Sequence, residues 1–397
     1  MSLRNWAAKN LQGDIVIWMI VLFISIFGML AVYSSTGTLA FVKQGGNTEF
    51  YLLKQGIMLI LGLFIMWLAH LLDYKYYSRL SQILLWVSIP LLIYTLLFGI
   101  NVNDARRWIS IPLIGLSFQT SDVAKLALIM YIARFLSRKQ ENIKDKKNTL
   151  FPILISIILV CGLIAPSNLS TALVLFATSI LLLFIGRIPV SSILILCLAA
   201  ILLFSIMVFA IMQLPGQGRV QTWKTRIENF REKENPEANY QAVQAKIAIA
   251  RGGIIGAGPG KSSQKNYLPS PYADFIFAII IEEYGLLGAL ILIFLYLLFL
   301  FRCIKIVFKS PKAFGALLSV GLAFSLVIPA LLNMGVAVNI FPVTGLPLPL
   351  VSMGGTSTIF TSLAFGIILS VSRNIEIEEN KSIENVEETK EKEIENK

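Results

Sequence analysis

The sequence predicts an all-α integral membrane protein of about ten transmembrane helices with a large extracytoplasmic loop between helices 7 and 8. Three observations predict it. Of 397 residues, 56% are apolar and 14% charged, against roughly 25% charged in a soluble chain. Apolar runs at 15–33, 57–72 and 275–301 approach or exceed the ~20 residues that a bilayer core requires of a helix. The Lys and Arg behind the formal charge of +11 lie in loops between such runs, so they report membrane topology rather than a basic face for nucleic acid.

Apolar runs and breakers place helices near 15–36, 52–72, 80–99, 121–137, 151–165, 171–186, 190–213, 273–301, 313–335 and 353–373. The first run shows no small-x-small cleavage site and reads as a retained helix rather than a signal peptide. Arg138, Lys139, Lys144, Lys146 and Lys147, and later Arg302, Lys305, Lys309 and Lys312, put their loops in the cytoplasm by the positive-inside rule. Alternation then places both termini inside and segments 37–51, 99–120, 214–272 and 336–352 outside. The expected organisation is a membrane domain at 1–373, its large loop at 214–272, and an acidic disordered cytoplasmic tail at 374–397 with almost no aromatics.

In the large loop, Asn235-Pro-Glu237 reads as an N-cap with Pro at the first helical position. The helix so started runs to Gly252-Gly253, and Val243, Ile247, Ala250 and Ile254 give it a face for the membrane or the bundle. A Gly-rich loop from Gly256 to Lys265 follows.

Cys161, Cys197 and Cys303 match no metal or disulfide spacing. His70 is the only histidine, at the end of an apolar run, which reads as an interfacial position and argues against histidine-based chemistry.

Ionisable residues at membrane depth are costly and mark function by default. Ser270 can cap a helix beginning at Pro271, which puts Asp274 in the first turn at the outer boundary, where the helix dipole favours a carboxylate. A plain dipole partner is the alternative role. At 1.5 Å and 100° per residue, Glu282 lies about 12 Å deeper and about 80° around, and Glu283 about 180° around, so only Glu282 shares a cleft with Asp274. Pairing of Glu282 with Lys125 or another interior base is the alternative. A second cluster runs from Asn103-Asp-Ala-Arg106-Arg107-Trp108 to Gln119-Thr-Ser-Asp122-Val-Ala-Lys125. Asp122 and Lys125 are spaced to neutralise each other. Arg107 suits a phosphate or pyrophosphate, or an interfacial anchor beside Trp108. A third stretch, from Asn333 through Pro342, Gly345, Pro347, Pro349 and Ser352 to Gly355, interrupts an apolar run with irregular backbone. Such backbone is tolerated at membrane depth only against protein or a wet cavity, so it is expected to line a cavity with Asp274.

Together these clusters resemble the SEDS family (shape, elongation, division and sporulation), whose members FtsW and RodA are peptidoglycan glycosyltransferases. The resemblance rests on Lys261-Ser-Ser-Gln-Lys-Asn-Tyr-Leu-Pro269 leading into Asp274-Phe-Ile-Phe-Ala278 and Glu282-Glu283-Tyr-Gly285, and on Pro349-Leu-Val-Ser352-Met-Gly-Gly355. It implies that Asp274 is the essential aspartate and that Arg107, Lys125 and Glu282 occupy recurrent polar positions. With Gln119, Lys265, Asn333 and Ser352 these make up the expected substrate-binding set. The chain departs from the family's Gln-Pro-Asp-x-Gly-Thr at Pro166-Ser-Asn168-Leu-Ser170-Thr171, which lacks the carboxylate. Thr120, Asp122 and Ser270 also stand where Pro, Glu and Glu are commoner. The Ser262-Ser-Gln-Lys265 run and Val32-Tyr-Ser-Ser-Thr36 look like FtsW; Gly345-Leu-Pro-Leu-Pro349 looks like RodA.

The resemblance implies a lipid II polymerase at the outer face of the cytoplasmic (inner) membrane, serving septal synthesis in cell division. A RodA-type elongation polymerase and a lipid-linked precursor flippase or transporter are the alternatives. The implied partners are lipid II (undecaprenyl-pyrophosphate disaccharide-pentapeptide), a class B penicillin-binding protein transpeptidase and other division proteins. A divalent cation, Mg²⁺ or Mn²⁺, is the expected cofactor, with Asp274 as its ligand, since hard cations prefer carboxylate and phosphate oxygens.

Overall fold

The structure, a computed structural model, describes residues 11–102, 105–111, 116–141, 149–212 and 240–395. It is mostly helical. Asp14 caps α1 (Ile15–Ser35), its carboxylate accepting from the backbone N–H groups of Val16 and Ile17. A short α2 (Gly37–Gln44) leads to α3 (Thr48–Leu71) and α4 (Tyr74–Phe98). Strands β1 (Ile100–Val102), β2 (Ala105–Ile111) and β3 (Leu116–Gln119) then form an antiparallel meander in that order. Helices α5 (Thr120–Arg138), α6 (Phe151–Ile164), α7 (Leu169–Ile185) and α8 (Val190–Met212) follow. After them come α9 (Tyr240–Gly252), α10 (Ile276–Lys309), α11 (Ala313–Ala337) and α12 (Thr356–Glu395).

Among the described residues, seven helices are long and apolar enough to cross a membrane: α1, α3, α4, α8, α10, α11 and α12. Helices α6 and α7 are apolar but shorter. Helix α5, with Asp122, Lys125 and Arg134, is instead enclosed: Leu128, Ile129, Met130 and Ile132 are all buried, and the helix packs against α4 and α11. Each predicted helix has a counterpart, because long apolar runs in a bilayer can satisfy their backbone only as helices.

Two polar levels bracket the bundle. At one, Asp14 Oδ2 accepts from Arg302 at 2.6 and 2.7 Å, and the Asp14 amide donates to Ser372 Oγ at 3.0 Å. At the other, Ser34 Oγ donates to Glu283. Asp14 and Ser34 stand about 30 Å apart along α1, the thickness of a hydrocarbon core.

The structure departs from expectation in three places. Segment 99–120 carries the small sheet rather than a plain loop: Ile109-Ser-Ile111 and Leu116-Ser-Phe118 alternate with period two, and Trp108 pairs with Gln119. Segment 374–397, expected to be disordered, continues α12 to Glu395. Its Glu and Lys are good helix formers on an already nucleated helix, and Glu376 and Glu379 tie the start of this extension to Gly13 N (2.8 Å) and Lys309 Nζ (3.1 Å). Third, the helix carrying Glu282 begins at Ile276, not at Pro271. Residues 213–239, the first part of the large loop with the Asn235-Pro-Glu237 signal, lie outside the described residues, as do Asn103 and Asp104. His70 is buried, its ring edge-on to Trp18 at 5.4 Å.

Candidate active site

Ser270 adopts a left-handed conformation, φ +57°, so it cannot start a helix at Pro271. The carbonyls that would have closed the first helical turn are taken by other segments. Tyr272 O accepts from Met353 N at 2.9 Å, Ala273 O from Ser352 Oγ at 2.6 Å, and Asp274 O from Asn333 Nδ2 at 2.9 Å. Asp274, half-buried, therefore sits in a turn ahead of α10.

The irregular segment between α11 and α12 is folded against that turn. Asn333 Nδ2 also donates to Leu346 O at 2.7 Å, and Leu348 N donates to Ser352 Oγ at 2.8 Å. Asn333 and Ser352 are each buried to within 2% exposure, so freed backbone groups find protein partners as membrane depth demands. A Cβ on Gly345, whose φ is +67°, would lie 3.7 Å from Asp274 Oδ2: the Pro/Gly segment faces the carboxylate directly. The structure thus brings Asp274, Asn333 and Ser352 into one knot.

A second group lies where β2, α4, α5 and the α6–α7 turn meet. A pocket there is lined by Thr95, Arg106, Arg107, Thr120, Ser121 and Ser167 among others. Arg107 Nε donates to Ser167 O at 2.7 Å, Gln119 Nε2 to Ser121 Oγ at 2.7 Å, and Thr95 Oγ1 to Thr120 Oγ1 at 3.0 Å. Lys125 pairs with buried Asp122 at 2.7 Å, leaving Asp122 Oδ2 without a partner. Asn168, in place of the family's aspartate, caps α7 by accepting from Thr171 N at 3.2 Å. Thr356 ties this group to the first: its hydroxyl donates to Ser117 O at 3.1 Å, four residues after Ser352.

Glu282 and Lys265 belong to a third group. The carboxylate of fully buried Glu282 accepts from Ser262 Oγ, from Ser263 N and Oγ at 3.0 and 3.1 Å and from Gln264 N at 3.2 Å. Arg251 stands 3.9 Å away. Pairing with Lys125 is not what the structure shows. Glu283 holds the same loop through Ser262 N at 3.2 Å. Lys265 Nζ donates to Gly260 O at 2.9 Å.

Close approach of that loop needs glycine. Gly285 breaks α10 with φ +68°. A Cβ there would lie 2.2 Å from Ile254 O, and one on Gly256 2.3 Å from Glu283 O. Backbone bonds from Ala257 N to Glu282 O and from Gly258 N to Glu283 O, each 2.9 Å, close the joint. Ser262 and Ser34 lie in runs that the sequence marks only by family resemblance, with no role attached, and Thr356 carries no mark at all; small hydroxyl residues give no period or charge signal that assigns them a partner.

Among the described residues, no three His, Cys, Asp or Glu side chains cluster as metal ligands. At Asp274 the protein offers one carboxylate, which suits a Mg²⁺-like ion that draws its remaining oxygens from phosphate and water.

A sequence family described as cell cycle protein, FtsW/RodA/SpoVE, matches residues 14–377. A probable peptidoglycan glycosyltransferase FtsW of Coxiella burnetii is 34% identical over 90% of this chain and 96% of its own length. Stage V sporulation protein E of Bacillus subtilis is 30% identical over 92% and 98%. Among solved structures, one described as showing coordination of polymerization and crosslinking by a peptidoglycan synthase complex superposes with a TM-score of 0.72 at 26% identity, covering 91% of this chain and 98% of that one. An aspartate-to-alanine mutant of Thermus thermophilus rod shape determining protein RodA superposes at 0.66 with 25% identity, covering 91% and 98%. A match running from Asp14 to Ile377, partway along α12, takes in all three polar groups, and the chain belongs to the FtsW/RodA/SpoVE family of cell cycle proteins.

Proposed function

We propose that this multi-pass membrane protein is a peptidoglycan glycosyltransferase that polymerises lipid II, with Asp274 as its catalytic carboxylate, in septal synthesis during cell division. The observation that carries the reading is the knot around Asp274. A carboxylate at the mouth of the bundle has its backbone pinned by Asn333 and its neighbouring carbonyls by Ser352 and Met353.

In this reading Asp274 accepts the proton of the acceptor 4-hydroxyl as that oxygen attacks the anomeric carbon of the donor sugar. The bond from that carbon to the lipid pyrophosphate breaks, the lipid pyrophosphate departs, and the configuration inverts. Arg107 and Lys125, with Gln119, form the polar group suited to pyrophosphate charge. Lys265 and Glu282 act at one remove, by setting the loop that leads into the Asp274 turn. Mg²⁺ or Mn²⁺, held by Asp274, would neutralise pyrophosphate charge when bound.

The partner proposed is a class B penicillin-binding protein transpeptidase, supported by the likeness to a synthase that couples polymerization with crosslinking. Other division proteins complete the proposed setting. The orientation proposed puts both termini in the cytoplasm and the Ser34 end of the bundle outside. A cysteine at Asn235 that labels only from the cytoplasm would reverse it.

The deciding experiment is reconstitution with labelled lipid II and the transpeptidase. Asp274→Asn keeps the shape and removes the charge, so glycan chains should vanish while the melting temperature holds. Near-normal chains from the Asn variant would sink the mechanism. A wild type that moves lipid II across the bilayer without ever forming polymer would favour a flippase.

A further inference from the structure

The sequence left open whether Val243, Ile247, Ala250 and Ile254 face the membrane or the bundle. The bundle takes the other side of α9: Ala242, Ala245, Ala248 and Gly252 are buried, small residues that let the helix lie close to α10. The apolar stripe is turned out, with Ile247 43% and Ile254 69% exposed, and Ile255 at the tip is 79% exposed.

The depth of that tip follows from hydrogen bonds. Leu286 N donates to Gly253 O at 2.9 Å and Leu287 N to Ile254 O at 3.3 Å. Glu283, on the Ser34 level, lies one turn closer to the outside than Leu287. The tip is therefore about 22 Å from the Arg302 level along α10, inside the ~30 Å apolar layer. Leu286 and Leu287 are themselves 51% and 53% exposed. Irregular backbone at this depth is normally excluded. Here it is satisfied, by Gly256 N to Gly252 O at 2.8 Å and by the two bonds to Glu282 O and Glu283 O.

Charge completes the pattern. Residues 240–272 contain Lys246, Arg251, Lys261 and Lys265 and no Asp or Glu. Lys246, Arg251 and Lys261 are exposed.

We infer that residues 240–264 form a lipid anchor: Ile254 and Ile255 sit among the acyl chains of the outer leaflet, and Lys246 and Lys261 meet the phosphates of anionic phospholipids there, while Arg251 turns inward to Ser263 and Glu282. An apolar stripe with cations and no anions is the make-up of an interfacial helix. Buried Glu282 and Glu283 fix the anchor to α10, so it sets the height of the chain that runs directly on to Asp274.

The test uses the full-length chain in nanodiscs of phosphatidylethanolamine and phosphatidylglycerol, with a nitroxide on Ile255→Cys in a Cys197→Ala background, Cys161 and Cys303 being buried. The label should collide more with oxygen than with a water-soluble nickel chelate; the reverse order overturns the proposal. Paired Lys246→Gln and Lys261→Gln should lower the preference for spin-labelled phosphatidylglycerol over phosphatidylcholine by about twofold or more. An unchanged preference, or a loss that appears only in lipid II binding, also overturns it. Neither readout depends on polymerase activity, so failure here is separable from failure of the catalytic reading.

Discussion

One amide nitrogen, Nδ2 of Asn333, donates to the carbonyls of Asp274 and Leu346, at 2.9 and 2.7 Å. It joins the turn that carries the carboxylate to the Pro/Gly segment opposite. Asn333→Ala strands both carbonyls in a buried place. It should cost about 1–3 kcal/mol and, by letting Asp274 drift, lower the polymerisation rate on the order of 100-fold. Melting temperature and glycan yield on the same preparation check both.

Gly285 has no tolerated substitute. Alanine would meet Ile254 O at 2.2 Å in a left-handed backbone, and strain plus overpacking predict a loss of about 3 kcal/mol. Limited proteolysis should then cut within 253–263 faster than in the wild type.

Glu282→Gln separates a structural carboxylate from a substrate ligand. An amide has one acceptor oxygen and two donors, facing the N–H groups of Ser263 and Gln264. We expect a stability loss of about 1–3 kcal/mol with unchanged lipid II affinity per folded molecule. Weaker affinity at unchanged melting temperature would return Glu282 to the substrate.

Asp14→Ala removes both the α1 cap and the partner of Arg302. Arg302 is partly exposed, which discounts the penalty, and the expected loss is about 2 kcal/mol. Adding Arg302→Ala should recover part of it, a coupling that a double-mutant cycle in detergent reads directly.

If a divalent cation serves Asp274, chelation should abolish polymerisation and added Mg²⁺ or Mn²⁺ restore it. Activity indifferent to chelator would remove the metal and leave Asp274 as a base alone.

The sequence by itself determined the helical membrane architecture, because lipid leaves apolar runs one way to satisfy their backbone. It also singled out Asp274, Asn333 and Ser352, since carboxylates and broken backbone are costly at that depth. What the tertiary structure decided is which groups share a site. Glu282 was read by helical rotation as a neighbour of Asp274, but the helix starts only at Ile276, and Ser262, Ser263 and Gln264 claim the carboxylate across about twenty residues of chain. The pinning of the 272–274 carbonyls by Asn333, Ser352 and Met353 is likewise long-range. Local periodicity fixes which face a residue takes on its own helix, whereas the partner that reaches that face comes from loop closure and packing between distant segments, which no window along the chain contains.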